Sequence, residues 1–183
     1  MEPWIQTRSG KRFDLLDPKP EQIDLEDIAH SLSMLCRFNG HTREFYSVAQ
    51  HSVLVADWME GHYGRELAKY GLLHDAAEAY IGDMGSPLKS QDCMTSFRFI
   101  EYKIMDVIWT KFGIEYPSID VERKIKKADL VMLATECRDL MQGERGGDWH
   151  LVETPKIGVI DPWSYPHYAK VMFLNRAKEL GIR

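Results

Sequence analysis

The chain has 183 residues, of which 44% are hydrophobic and 28% charged, enough apolar side chain to bury one core and too much for a disordered polymer. With 23 Lys and Arg against 28 Asp and Glu the net charge is −5, which excludes a general coating role on nucleic-acid polymers. No apolar run reaches the roughly 18 residues of a membrane span, and Met1-Glu2-Pro3-Trp4 lacks the basic end and apolar core of a signal peptide, so the expectation is one cytoplasmic domain over 1–183 with no membrane partner.

Trp4, Ile5, Phe13, Leu15 and Leu16 flank the turn dipeptide Ser9-Gly10 and predict a small hairpin over residues 4–16. Asp17-Pro18-Lys19-Pro20 ends it, because two prolines fix φ and remove donors. Asp24 reads as an N-cap with Asp27 as capping acid, and Ile28, Leu32 and Leu35 share one face of a helix running to about Cys36. Residues 37–46 have no period and mix Arg37, Phe38, His41, Arg43, Phe45 and Tyr46, a loop suited to a planar, anionic ligand. Ser47 caps the next helix, in which His51 joins a stripe of Val48, Val55, Trp58 and Met59. Alone, a histidine in such a stripe is more often a satisfied core residue than a ligand.

Residues 65–81 read as a helix stopped by Gly82, and it carries His74-Asp75-Ala76-Ala77-Glu78 among Leu, Ala, Tyr and Ile. Spacings of three and four put these polar groups on one side within a turn. Buried acids and imidazoles cost several kcal/mol unless paired or bound to a cation, and a metal site accounts for them. Asp83 to Lys89 is a turn-rich loop, and residues 95–112, with Phe99, Tyr102, Ile104, Met105, Ile108, Trp109 and Phe112, predict a long core helix. Ser118 or Asp120 caps another, whose inward face of Ile125, Ala128, Leu130, Met132, Leu133 and Cys137 has Asp129 in its middle. Residues 143–162 form a long loop, functional or mobile, and a last helix from Tyr165 to Leu180 stops at Gly181. Cys36, Cys93 and Cys137 have no metal-knuckle or disulfide spacing, and Cys36 and Cys137 read as core. The fold expected is a mainly α single domain with a small N-terminal β-hairpin.

His51, His74, Asp75 and Asp129 together supply imidazoles and carboxylates whose charge balances one divalent cation. Mixed nitrogen and oxygen donors favour Zn, Co, Mn, Fe or Ni over Ca, which takes all-oxygen shells. A second divalent ion arriving with substrate phosphates is a further cofactor that this chemistry admits.

The composite Arg37-Phe38, His51, His74-Asp75-Ala76-Ala77-Glu78, Asp83, Ser86-Pro87-Leu88-Lys89 and Asp129 resembles the HD-domain metal-dependent phosphohydrolases. Their fold is a helical bundle, and their metal is held by a histidine, a His-Asp doublet and a distant aspartate. A bare His-Asp pair arises often by chance; the composite, spread over about residues 24–140, is the specific signal. Within that superfamily the chain is most similar to the small 5′-deoxynucleotidases and the phage-type deoxynucleoside triphosphohydrolases, which share the arginine–aromatic pair, H-D-x-x-E, an aspartate eight residues after the doublet and [ST]-P-x-K. Phe38 stands where the monophosphatases commonly have tryptophan, which bears on substrate. Ala79 follows Glu78 where guanosine-tetraphosphate hydrolases have a second acid, which argues against that alarmone. The lack of a GYP motif and of extra histidines argues against cyclic dinucleotides.

On this resemblance His51, His74, Asp75 and Asp129 hold the metal, and Glu78 and Asp83 handle the protons of the attacking water and the leaving oxygen. The alternative for Glu78 is an outer partner that orients His74. Arg37 and Lys89 are phosphate contacts, with a solvated lysine as the alternative for Lys89. Phe38 and Pro87 sandwich a base or sugar, with simple packing as the alternative for Phe38. His41 and Arg43 are within reach of a longer polyphosphate, His30 is structural, and His62, His150 and His167 are surface residues.

The activity implied is metal-dependent hydrolysis of deoxynucleotides at the 5′ phosphate, leaning to a dATP-type triphosphohydrolase that releases deoxynucleoside and triphosphate. The alternatives are a 5′-deoxynucleotidase acting on monophosphates and, from another class, a non-catalytic nucleotide-sensing module that keeps the metal. The resemblance also implies a homo-oligomer, with Trp4, Trp149, Trp163 and Tyr165 as interface anchors or as lids over the ligand.

Overall fold

The computed structural model describes residues 2–142, 149, 151–156 and 158–183; the rest of the expected loop over 143–162, His150 included, lies outside the described residues. Strands β1 (Trp4–Gln6) and β2 (Arg12–Asp14) pair antiparallel with Ile5 opposite Phe13. Gly10 supplies the positive φ that the turn requires. Alternation along β2 turns Phe13 inward, where its ring stacks on Tyr80 at 3.8 Å.

Helix α1 (Leu25–Met34) starts at Asp24, whose carboxylate accepts from the Glu26 amide. Asp27 does not complete a capping box. Its two oxygens accept from the Ser9 amide at 2.8 Å and the Ser9 hydroxyl at 2.7 Å, so it pins the hairpin turn to α1 instead.

Helix α2 (Val48–Tyr63), capped by Ser47, is followed after Gly64 by α3 (Arg65–Leu73). The two lie close because Gly71 has no side chain: an added Cβ would meet Met59 Sδ at 2.8 Å and the Ala56 backbone at 3.0 Å. Met59 can swing away but the Ala56 backbone cannot. Gly71→Ala is therefore expected to force the helices apart and cost about 1–3 kcal/mol, read as a lower denaturant midpoint at unchanged m-value; a midpoint equal to the parent's would mean that the crossing has slack.

The helix expected over 65–81 is interrupted. After α3 the chain tightens to i→i−3 bonding, Ala76 to Leu73, Glu78 to Asp75 and Ala79 to Ala76, before the short α4 (Glu78–Ile81) ends at Gly82. Such tightening places residues three apart over one another, so Glu78 stands over Asp75. Next come α5 (Ser86–Lys89) and α6 (Thr95–Lys111). Only Ile104, Ile108 and Trp109 of α6 are buried, whereas Phe99 and Tyr102 are exposed, so α6 is half surface rather than the core helix its composition suggests. Helix α7 (Ile119–Leu140) is capped by Ser118, not Asp120, and α8 (Pro166–Glu179) closes the chain. Cys137 is buried as expected, while Cys36 is only half-buried.

The fold is a mainly α single domain with, among the described residues, one two-stranded hairpin. Among the described residues no helix is long and apolar enough to cross a membrane. Its apolar interior has two parts. The larger gathers Phe13, Ile28, Leu32, Leu72, Ile108 and Phe173 from the hairpin, α1, α3, α6 and α8. The smaller, Tyr46, Val55, Met59, Ala128, Met132, Leu140 and Ile160, joins α7 to α2.

Candidate metal centre

Four segments deliver polar side chains to one place. The first turn of α2 brings His51, fully buried; the tightened turn after α3 brings His74 and Asp75; mid-α7 brings Asp129; and the loop after α1 brings Arg37. His51 Nε2 stands 3.3 Å from His74 Nε2 and 3.5 Å from Asp129 Oδ1. Asp75 Oδ2 lies 3.1 Å from His74 Nε2 and 3.6 Å from His51 Nε2.

The outer nitrogens decide what the inner ones offer. His74 Nδ1 donates to the Gly71 carbonyl at 2.8 Å. His51 Nδ1 lies 2.6 Å from Glu136 Oε1, and Glu136 is an anion: burial alone would raise its pKa, but Arg37 and His51 hold it below the usual carboxylate value. A carboxylate only accepts, so Nδ1 of His51 carries the proton. In the neutral imidazoles both Nε2 lone pairs then face the same point, an arrangement that either a proton or a metal ion between them relieves. Ligands about 2.0–2.1 Å from a first-row metal are about 2.9–3.4 Å from one another; the separations of 3.1 and 3.3 Å fall in that range, and those of 3.5 and 3.6 Å lie just beyond it. His51, His74 and Asp129 are, among the described residues, the one set of His, Cys, Asp and Glu whose ligand atoms converge in this way, and the set could hold a metal ion.

The charges agree. Burial and Arg37 depress His51, yet Glu136 and Asp129 outweigh them and raise it to about 9. Asp75 and Asp129 are both lowered against the effect of burial, Asp75 chiefly by His74 and Asp129 chiefly by His51. A proton on His51 and a divalent ion thus compete for one electrostatic well.

Glu78 is shaped differently. It is 3% exposed and its Oε2 has no hydrogen-bond partner among the described residues. Burial, with Asp75 and Asp83 adding repulsion, raises its pKa well above the ordinary value, against Lys89 at 3.9 Å. It does not orient His74, whose outer nitrogen is taken by Gly71. Asp83, half-buried after α4, is raised by burial and by Asp75, with Arg37 opposing.

A cavity of about 340 Å³ opens beside the cluster, between α6 and α7. His74 and Asp129 form one end, and Tyr102, Met105, Trp109, Tyr116 and Ile125 line it. Tyr102 and Tyr116 lean together with centroids 5.6 Å apart; burial and the bond to Tyr102 raise the Tyr116 hydroxyl to about 12.

No protein-family model matches the chain. It is 40% identical over 182 residues to the uncharacterized protein YfdR of Escherichia coli (strain K12), across 97% of this chain and 96% of that one. The chain belongs to the YfdR family. An uncharacterized protein of Rhodobacter capsulatus is 35% identical over 145 residues, which is 75% of this chain and 72% of that protein.

In this YfdR-family chain His51, His74 and Asp129 form the convergent set, with Asp75, Glu78, Asp83 and Lys89 close by, but three of the expected substrate contacts, Arg37, Phe38 and Pro87, are differently placed. Arg37 is 9% exposed and committed, Nη2 donating to Glu136 Oε2 at 2.9 Å while Nη1 stands 3.7 Å from Asp75. Phe38 lies against the Arg37 guanidinium and Trp149, at 5.3 and 5.8 Å between centres, and Pro87 is exposed on α5. Neither lines the cavity. Lys89 Nζ bonds to Glu101 at 2.8 Å and is not simply solvated. His62 and His167 are exposed, as expected of surface residues. Phe38 and Asn39 adopt left-handed φ of 54° and 51°, costing about 1–2 kcal/mol at the phenylalanine, a strain that the anchored Arg37 beside them sustains.

Glu136 is the residue that the sequence reading missed. It is fully buried and joins His51, Arg37 and the Tyr46 hydroxyl, 2.9 Å away. The signal was present: it sits two helical turns after Asp129 on the same face of α7. Glu136→Gln, which keeps the shape but loses the charge, is expected to weaken metal affinity about 10–100-fold in competition against a chromophoric chelator. Unchanged affinity would mean that the charge on Glu136 does not tune His51.

Proposed function

We propose that this chain is an HD-domain phosphohydrolase that uses one first-row divalent metal, from among Zn, Co, Mn, Fe and Ni, to hydrolyse deoxynucleotides at the 5′ phosphate. The observation that carries the reading is the pairing of the convergent His51, His74 and Asp129 donors, with Asp75 beside them, and a buried carboxyl, Glu78, whose pKa burial raises well above the ordinary value. The ion, when bound, supplies charge neutralisation at a phosphoryl oxygen and acidifies water.

The chain's own groups supply the proton traffic. Water attacks the phosphorus that bears the 5′ oxygen, and Asp83 receives the proton it loses. As the bond from phosphorus to the 5′ oxygen breaks, Glu78 gives its proton to that oxygen, so the nucleoside leaves as an alcohol. Lys89, 3.9 Å from Glu78, and Arg37, 3.7 Å from Asp75, offset the repulsion between the acids and the incoming phosphates. Resemblance to the phage-type enzymes inclines the reading to a deoxynucleoside triphosphate such as dATP, with deoxynucleoside and triphosphate as products and a second divalent ion carried in on the phosphates.

The test is incubation of the metal-loaded protein with deoxynucleoside mono-, di- and triphosphates, with products separated by mass. Triphosphate from dATP supports the reading, and orthophosphate from monophosphates alone moves it to the 5′-deoxynucleotidase. Tight nucleotide binding without any product would make the chain a sensing module.

Assembly belongs to the same proposal. Three of the aromatics expected to anchor an oligomer have partners within the chain: Trp4 lies under Arg12, Trp149 against Phe38, and Trp163 edge-on to Tyr168. Tyr165, 78% exposed, does not enter the core. A homo-oligomer anchored there should show a light-scattering mass at least twice 21.2 kDa that Tyr165→Ala lowers; a monomer at micromolar concentration would exclude it.

A further inference from the structure

We propose that the cavity between α6 and α7 is the seat of the substrate's planar base, with Tyr102 and Tyr116 as the wall against which it stacks; this rests on the nucleotide reading above. Three observations point there. The cavity is continuous with the metal centre, because His74 and Asp129 belong to both. A ligand whose phosphate lies at the ion therefore has this space next to it, lined by neither Arg37 nor Glu136.

The chemistry of the wall selects an uncharged aromatic group. Trp109 is almost fully buried at the base of the cavity, while Tyr102 and Tyr116 are 52% and 43% exposed, an aromatic surface that a flat ring can cover from water. Besides Asp129, three of the four charged side chains around it have partners. Arg98 Nη1 donates to the Lys89 and Gln91 carbonyls at 2.6 and 2.8 Å, Glu101 accepts from Lys89, and Lys126 reaches Asp129 at 3.0 Å. With those partners in place the charge left facing the cavity is Glu122, an acid that disfavours an anion there, whereas an ion at the metal centre attracts one. Polarity is thus divided as a nucleotide is divided.

Size agrees, since about 340 Å³ is at the lower end of small-molecule sites and suits one base with part of its sugar. The expected sandwich of Phe38 and Pro87 is displaced by this assignment, because neither reaches the cavity.

The experiment measures binding rather than turnover. Metal-loaded full-length protein is titrated with deoxyadenosine, with deoxyribose 5-phosphate, which lacks the base, and with inorganic phosphate, each by calorimetry. Tyr102→Ala and Tyr116→Ala, both at half-exposed positions that leave the core intact, are expected to weaken deoxyadenosine about tenfold or more and to leave inorganic phosphate and metal content unchanged. Met105→Trp, which fills the cavity, is expected to do the same, and circular dichroism confirms that each variant is folded. Deoxyadenosine binding that is absent from the parent, or is indifferent to all three substitutions, overturns the base seat. The two readings fail separately. A base that binds through the tyrosines without hydrolysis leaves the seat standing and removes the hydrolase, and hydrolysis indifferent to the tyrosines does the reverse.

Discussion

Replacing His74 or Asp129 by alanine is expected to reduce bound metal from about one ion per chain to almost none, and chelation of the parent should abolish turnover. Three of the four proposed ligands remain in each variant, but one side of the cluster is open, and metal content by plasma mass spectrometry reads the loss directly. Stoichiometric metal with normal rates in both variants would remove the site. The metal-free chain should also carry a distinctive pH dependence. His51 is raised to about 9 from 6.5, so its contribution to stability is complete below about pH 6.5 and is lost as pH rises through 9. At about 1.36 kcal/mol per unit this is about 3 kcal/mol, or a fall in melting temperature of about 6–12 °C for a chain of this size. Glu78, also raised, acts in the same direction above the ordinary carboxylate range. Glu136, lowered, acts oppositely and is lost only in acid. Loading with metal should flatten or invert the slope between pH 6.5 and 9, because the ion takes the place of the proton. A metal-free protein that melts higher at pH 9 than at pH 6 would contradict the charge balance described.

Glu78→Gln should separate catalysis from architecture. The substitution keeps the shape of the side chain and removes its transferable proton, so turnover is expected to fall about 10²–10⁴-fold with full metal content. Stability should move the other way. The folded state resists ionising Glu78, which costs stability at pH 8, and glutamine is free of that cost. A variant that is slower and melts higher is the signature of a buried group kept for its chemistry. Lost metal together with a lower melting temperature would instead return Glu78 to a supporting role.

Local grammar was readable. Asp24, Ser47 and Ser118 cap helices because a short oxygen-bearing side chain before an apolar stripe has one good use, and the hairpin follows from Ser9-Gly10 between apolar runs. The convergence of His51, His74 and Asp129 could be anticipated because each is polar where its helix is otherwise apolar. The tightened turn at 74–77 could not, for no glycine or proline marks it. Glu136 was hidden because it lies beside Arg138 and Asp139, where it reads as part of a solvated face. Tyr102 was misplaced for the converse reason: an aromatic in a helical stripe looks like core, and only the position of α7 shows that it lines a cavity.

The division of the apolar interior has a consequence for how the molecule opens. None of the residues in the larger core comes from α7, which is held to α2 by the smaller one and by the bonds from His51, Arg37 and Tyr46 to Glu136. An ion shared by His51, His74 and Asp129 would rivet α7 to the rest of the chain, much as a cross-link would. Lys156 and Ile160 are tied to it, since Asp139 holds the Ile160 amide and Thr135 the Lys156 amide. In amide hydrogen exchange, α7 with Lys156 and Ile160 is expected to open as one cooperative unit, and to open more readily once such an ion is withdrawn.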